Sequence, residues 1–296
     1  MMIRGVDVSA LQGVVPWGTV ARDIRFAYLR GAIGNETMPD ARFVENVRAA
    51  KCAGVIVGAY FFAYPLPHLD PEWQAAHAGN LLSVDGKVVG ASHGELPIAL
   101  DLEWPPPFER ADDGTFVNGW TKRGCNAAQI RSWALRALDV LGARIGCQPV
   151  LYTYPFFWER VIAGATPHEL AAFSSCPLWI ADYRTREHVP SPRELPHIPS
   201  PWRECGDAIV IWQHDGNGGL RLPNGVDADF NVLVGGENDL ARLIGFRAEC
   251  APSIVDVERA RLHADAYMIE EEIVRHRMIR IATAGASPVE RTTGAT

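Results

Sequence analysis

Residues 40–64, DARFVENVRAAKCAGVIVGAYFFAY, write a helix and a strand back to back. Phe43, Val47 and Ala50 recur at the three- and four-residue spacing of one helical face. Gly54 ends that helix, and an apolar run over residues 55–64 follows at once. Another apolar run, residues 26–33, precedes it. Strand, helix and strand in this succession form the unit of a sheet whose parallel strands are joined by helices.

The same unit extends in both directions. Apolar runs at residues 3–8, 96–103, 149–154, 178–182, 208–213 and 226–232 read as further strands. Asp70-Pro71 opens a helix reaching about residue 82, because Asp caps the first turn and Pro suits its first position. Residues 126–145 form the longest helix, with Ile130, Trp133, Ala134, Ala137, Leu138 and Leu141 on its apolar face. Eight strands, with helices concentrated in the first two thirds, predict an α/β fold: an irregular (β/α) barrel of about eight strands over residues 1–236.

Residues 237–296 read as a helical tail. Val257, Ala260, Ala264 and Val274 make an apolar stripe beside the charged Glu270-Glu271-Glu272, and residues 282–296 are expected to be disordered. Such a tail is expected to dock on the barrel, associate with its own kind or attach to a larger assembly.

Bulk properties exclude several classes of function. A net charge of -7 argues against nucleic acid, whose phosphates need clustered Lys and Arg. No run of eighteen apolar residues exists to span a membrane, and the first residues show no basic and apolar leader, so no signal peptide is expected. The six cysteines contain no C-x-x-C pair and read as small buried apolar residues; the nine histidines show no ligand spacing. No metal and no cofactor are expected.

The chemistry concentrates in Leu96-Pro97-Ile98-Ala99-Leu100-Asp101-Leu102-Glu103-Trp104. Alternation puts Asp101 and Glu103 on one face of a strand end, about 6.6 Å apart, near the separation that glycosidases use between two carboxyl groups. Burying two ionised carboxylates is costly, so the pair points to a cleft where charge is used. Asp7, Asp182 and Asp227 also stand at the ends of apolar runs, and strand ends of a barrel converge in space. The Pro-, Asp- and Gly-rich residues 104–124 follow the acidic strand and are expected to wall the cleft, with Phe108, Phe116 and Trp120 available to stack on sugar rings.

Gly5-Val6-Asp7-Val8-Ser9 with Gln12-Gly13, Gly58-Ala59-Tyr60-Phe61-Phe62, Ala99-Leu100-Asp101-Leu102-Glu103, Leu151-Tyr152-Thr153, Leu178-Trp179-Ile180-Ala181-Asp182-Tyr183, Ile211-Trp212-Gln213 and Val226-Asp227 together resemble the lysozymes of glycoside hydrolase family 25. The match covers about residues 3–233. The resemblance implies a barrel of eight strands and about five helices, and a muramidase that cuts the β-1,4 bond between N-acetylmuramic acid and N-acetylglucosamine in peptidoglycan. It implies Glu103 as general acid and Asp101 as its neighbouring carboxylate, with Asp7 and Asp227 as the other acids. Tyr60 or Phe62, Trp104, Tyr152, Trp179, Tyr183, Trp212 and Gln213 fall where the substrate groove is expected. Phe61 stands where His is frequent, and Arg30 where Lys is common.

Four acids in one cleft cannot all ionise freely, so the one most hemmed in by charge and apolar walls keeps its proton; Glu103 is the expected holder. Asp101 either attacks the sugar or orients the substrate's own N-acetyl group, and spacing leaves both open. The alternative to an enzyme is an inactive wall-binding or virion structural module on the same barrel. A wall-degrading site without an export signal suggests a phage lysin or virion-borne enzyme acting on the bacterial wall.

Overall fold

In the computed structural model, residues 3–103, 125–162, 164–183, 195–223 and 225–245 are described, save for the side chains of 217–220. Residues 104–124, with Trp104 and the expected cleft wall, and the tail beyond residue 245 lie outside the described residues.

Eight strands close a barrel: β1 (Ile3–Val8), β2 (Phe26–Ile33), β3 (Ile56–Phe62), β6 (Ala99–Asp101), β7 (Val150–Thr153), β8 (Leu178–Ala181), β9 (Val210–Arg221) and β10 (Asp227–Val234). A small hairpin of β4 (Ser83–Val84) and β5 (Lys87–Val88) stands apart. The described residues also hold seven α-helices: α1 (Trp17–Val20), α2 (Phe43–Cys52), α3 (Pro71–Leu81), α4 (Ala127–Ile145), α5 (Pro155–Ile162), α6 (Pro167–Ser174) and α7 (Glu237–Gly245). Several end where sequence chemistry says they should. Asp70 accepts from the Trp73 amide at the head of α3, Asn126 and Gln129 cap α4 reciprocally, and Gly146 closes α4 in the left-handed region.

The barrel is mixed, which corrects the expectation of parallel strands. β1 to β9 run parallel around the barrel, whereas β10 pairs antiparallel with both β9 and β1. β9 and β10 are joined by a short connection, and a hairpin must reverse direction. Its consequence for function is direct: the beginning of β10 lies beside the end of β1, with Asp7 opposite Asp229.

Alternation along the strands sorts the core into two layers. Outward residues such as Val57, Phe61, Leu100 and Leu151 pack under the helices. Inward residues Ile3, Phe26, Tyr28, Ala99, Val150, Trp179, Ile211 and Leu233 fill the barrel, joined from below by Leu240 and Leu243 of α7. The lower barrel is thus plugged, and a cleft opens at the end where Asp7 and Asp101 emerge.

The cysteines do not behave uniformly. Cys125, Cys147 and Cys176 are buried as expected, but Cys52 and Cys205 are exposed, at the end of α2 and in the turn after a short 3-10 helix. Cys250 lies outside the described residues. No described helix is long and apolar enough to cross a membrane.

Candidate active site

Above the plugged core opens a cleft of about 690 Å³ lined by the four acids Asp7, Asp101, Glu103 and Asp229 and by Tyr60, Tyr152, Tyr154, Phe156, Trp179, Ala181, Tyr183 and Gln213. They come from seven strands and the residues just beyond them: β1, β3, β6, β7, β8, β9 and, from its beginning, β10, with β6, β7 and β8 and the residues that follow them giving more than one side chain each. Asp101 ends β6 and Glu103 follows two residues on, so alternation turns both inward.

Asp7 is the best-held of the acids. Only 5 % of it is exposed, and its Oδ2 accepts 2.7 Å hydrogen bonds from Gln213 Nε2 and Asn231 Nδ2. Burial pushes its carboxyl up to about 6, while those two donors and a shared hydrogen bond with Asp229 pull the other way. Asp229, its partner on β10, is pushed up to about 9 by burial, by the charges of Asp7, Asp215 and Glu103, and by its hydrogen bond to Asp7. Glu103 is raised to about 8, first by burial and then by the charge of Asp7. Asp101, also 5 % exposed, is raised well above the ordinary carboxylate range by burial and by Glu103 and Asp7, against an opposing pull from Arg30. Around neutral pH, then, Asp7 is ionised while Glu103 and Asp229 hold protons.

Arg30, the nearby cation, is itself tied down. Its guanidinium bonds the buried Asp40 carboxylate at 2.9 and 3.0 Å, and the same carboxylate accepts from the Ala10 amide, bracing the segment after β1. Asp101 Oδ1, by contrast, is buried without a hydrogen-bond partner. An unsatisfied buried acceptor costs about 1–3 kcal/mol, and a donor on a bound ligand would remove that cost.

Aromatic rings make the floor. Trp179 stacks on Tyr28 with centroids 4.6 Å apart and meets Tyr152 and Tyr60 edge-on at 4.8 and 5.9 Å. Its indole N–H donates to Asn231 Oδ1 at 2.7 Å. Tyr152 and Tyr183 both donate to Gln213 Oε1 at 2.9 Å. Tyr183 and Phe156 are open to solvent at the rim.

The sequence reading brings together Asp7, Asp101, Glu103, Tyr60, Tyr152, Trp179, Tyr183 and Gln213. It misplaces others. Asp227 is not in the cleft: its side chain is 44 % exposed and faces Arg221 at 3.4 Å, and Asp229 takes its place. Asp227 and Asp229 share parity, but the reversed β10 carries Asp227 one step beyond the rim. Trp212 alternates away from Gln213 and is fully buried on the outer side with Phe230 and Val232, its indole N–H donating to the Asp182 carbonyl. Phe62 packs edge-on against Tyr64 outside the cleft lining. Asp182 accepts from the His197 amide and holds a loop. Tyr154 and Phe156 were missed. Tyr154 shares parity with Tyr152, a signal present in the sequence; Phe156 reaches the rim from the first turn of α5. Among the described residues no set of three or more His, Cys, Asp and Glu side chains is arranged to hold a metal ion.

Comparison with known proteins agrees with this geometry. The sequence profile described as Glycosyl hydrolases family 25 matches residues 6–221, most of the barrel. The chain belongs to glycosyl hydrolase family 25. Within that family it is similar to Lysozyme M1 of Streptomyces globisporus, with 27% identity over 234 residues that make up 79% of this chain and 68% of that protein. The crystal structure of the bacterial lysozyme from Streptomyces coelicolor superposes with a TM-score of 0.59 at 25% identity, covering 84% of this chain and 99% of that one. A muramidase from Acremonium alcalophilum gives 0.60 at 25% identity, covering 82% of this chain and 98% of that one. Family 25 membership makes the chain a glycoside hydrolase of the lysozyme kind, and the irregular eight-stranded barrel is the fold it shares with these relatives.

Proposed function

We propose that the chain is an N-acetylmuramidase that cleaves the β-1,4 bond between N-acetylmuramic acid and N-acetylglucosamine in bacterial peptidoglycan. The observation that carries the reading is the division of labour among the acids: Glu103 keeps a proton to about pH 8 at the edge of an aromatic cleft while Asp7 below it is ionised. Glu103 donates its proton to the glycosidic oxygen as the bond breaks. Positive charge then grows on the sugar ring, and the fixed carboxylate of Asp7 stabilises it in a site that excludes most water.

Asp101 has two candidate roles, nucleophile or guide of the substrate's N-acetyl group. Its partnerless Oδ1 favours the second, since the amide N–H of an N-acetyl group is the donor it lacks. The exposed rings of Tyr183 and Phe156 supply stacking surface for sugars on either side. The substrate places the site of action at the bacterial cell wall, reached by a phage lysin or virion-borne enzyme.

Digestion of purified peptidoglycan, followed by borohydride reduction and mass spectrometry, tests the reading. Fragments ending in reduced N-acetylmuramic acid are expected. Fragments ending in reduced N-acetylglucosamine would identify a different bond, and intact glycan beside a correctly folded protein would identify a wall-binding module.

A further inference from the structure

Two side chains that no catalytic role requires meet at the centre of the cleft floor. Asn231 is fully buried and Gln213 is 2 % exposed, so neither has water to satisfy it. Their orientations are dictated by their neighbours. The Trp179 indole N–H can only donate, so Asn231 presents its oxygen there and its NH₂ to Asp7. The Asp7 carboxylate can only accept, so Gln213 presents its NH₂ to the same Asp7 oxygen and its Oε1 to the hydroxyls of Tyr152 and Tyr183.

We propose that Gln213 and Asn231 are positioning residues: their two amides make Asp7 Oδ2 an obligate acceptor, which keeps the negative charge of the cleft on Asp7 and the proton of the Asp7–Asp229 pair on Asp229. Two N–H donors at 2.7 Å on Oδ2 bind the ionised carboxylate more strongly than the neutral acid, whose proton would have to sit on Oδ1. One bond further out, the donor-only Trp179 indole locks Asn231 against flipping and the two tyrosine hydroxyls hold Gln213 Oε1 in place. Gln213 thus acts on Asp7, and not on sugar as its place in the sequence pattern suggests.

The groups that face Asp7 around the barrel are few. Asp229 comes from β10, Asp101 and Glu103 from β6 and its end, and the hydroxyls of Tyr60, Tyr152 and Tyr183 from β3, β7 and the end of β8. Arg30 of β2 acts on Asp101 and Tyr60 and is neutralised by Asp40. The acids disfavour charge on Asp7, so the two amides supply the main counterweight.

The inference rests on the cleft being the hydrolytic site, and its test has an arm that does not. In the whole protein, the Trp179 indole ¹H–¹⁵N resonance reports on Asp7 through Asn231 and is expected to titrate with a midpoint near 6. Gln213→Met keeps the side-chain volume and the Asn231 contact but removes one donor, and should raise that midpoint by roughly one unit. The acid limb of kcat/KM should rise with it, with roughly tenfold lost rate below the limb and KM within about twofold of wild type. Asn231→Leu should move the limb in the same direction. An indole resonance in wild type that ignores pH between 5 and 7 overturns the proposal even if no variant folds. So does an unmoved midpoint in Gln213→Met, or a raised KM with an unmoved limb, which would make Gln213 a substrate contact. Failure of the muramidase reading would leave the indole titration intact and silence only the kinetic arm.

Discussion

At the scale of single residues, the cleft is a problem in proton placement. Four carboxyl groups share a buried space, and burial alone lifts each above its ordinary range. In the proposed mechanism, turnover requires Asp7 charged and Glu103 protonated. Below about 6 the first condition fails and above about 8 the second does, so kcat/KM is expected to follow a bell between these limbs, measured on a soluble glycan fragment. Glu103→Gln should lower kcat roughly 10²–10⁴-fold while leaving binding to wall fragments intact, since the amide keeps the shape and loses the proton donor. Asp227→Asn should cost less than about twofold and Asp229→Ala at least roughly tenfold, because only Asp229 faces Asp7. Turbidity clearing of a peptidoglycan suspension reads both; the reverse ranking would restore Asp227 to the site.

The elements place these residues through parity and small side chains. Gly58 on β3 lies against Tyr28 on β2, and a Cβ there would come within 2.6 Å of the Tyr28 ring and 2.7 Å of Leu96 Cβ. Tyr28 in turn supports Trp179. Gly58→Ala should therefore destabilise the fold by about 1–3 kcal/mol, read by urea unfolding, and lower kcat by disturbing the Trp179 floor. Parity was legible from sequence for Asp101 and Glu103, while Tyr60, Tyr152 and Trp179 came from the resemblance to family 25 and do face the cleft. The resemblance misled at Trp212, the aromatic beside Gln213, which alternates outward into a buried layer. It misled at Asp227 for another reason. Choosing between Asp227 and Asp229 needs the register of β10 against β1, which a hairpin with two register irregularities sets.

The molecule as a whole trades stability for this site. A carboxyl whose pKa is higher folded than unfolded holds its proton in the native state while the unfolded chain releases it. Asp229, raised to about 9, therefore costs stability progressively as pH rises from its ordinary value near 4 toward 9. Asp229→Asn removes that cost while an amide N–H still faces Asp7. The variant should be more stable than wild type by on the order of 1–3 kcal/mol at pH 7, and the gap should widen between pH 4 and pH 8. Urea unfolding at several pH values checks it; a constant gap would mean that Asp229 ionises as freely in the fold as in solution.

The order of apolar runs and the caps of the helices pointed to an irregular α/β barrel, because period and capping are local properties of the chain, and the Asp101–Glu103 pair with the resemblance to family 25 pointed to a carboxylate cleft. Only the tertiary structure decided that β10 runs backward, that Asp229 and not Asp227 meets Asp7, and that Gln213 and Asn231 close on one oxygen. Those facts depend on strand direction and register between segments more than 200 positions apart, as the separation of Asp7 from Gln213 and Asn231 shows. No local pattern encodes such a pairing; it is set by the closure of the barrel.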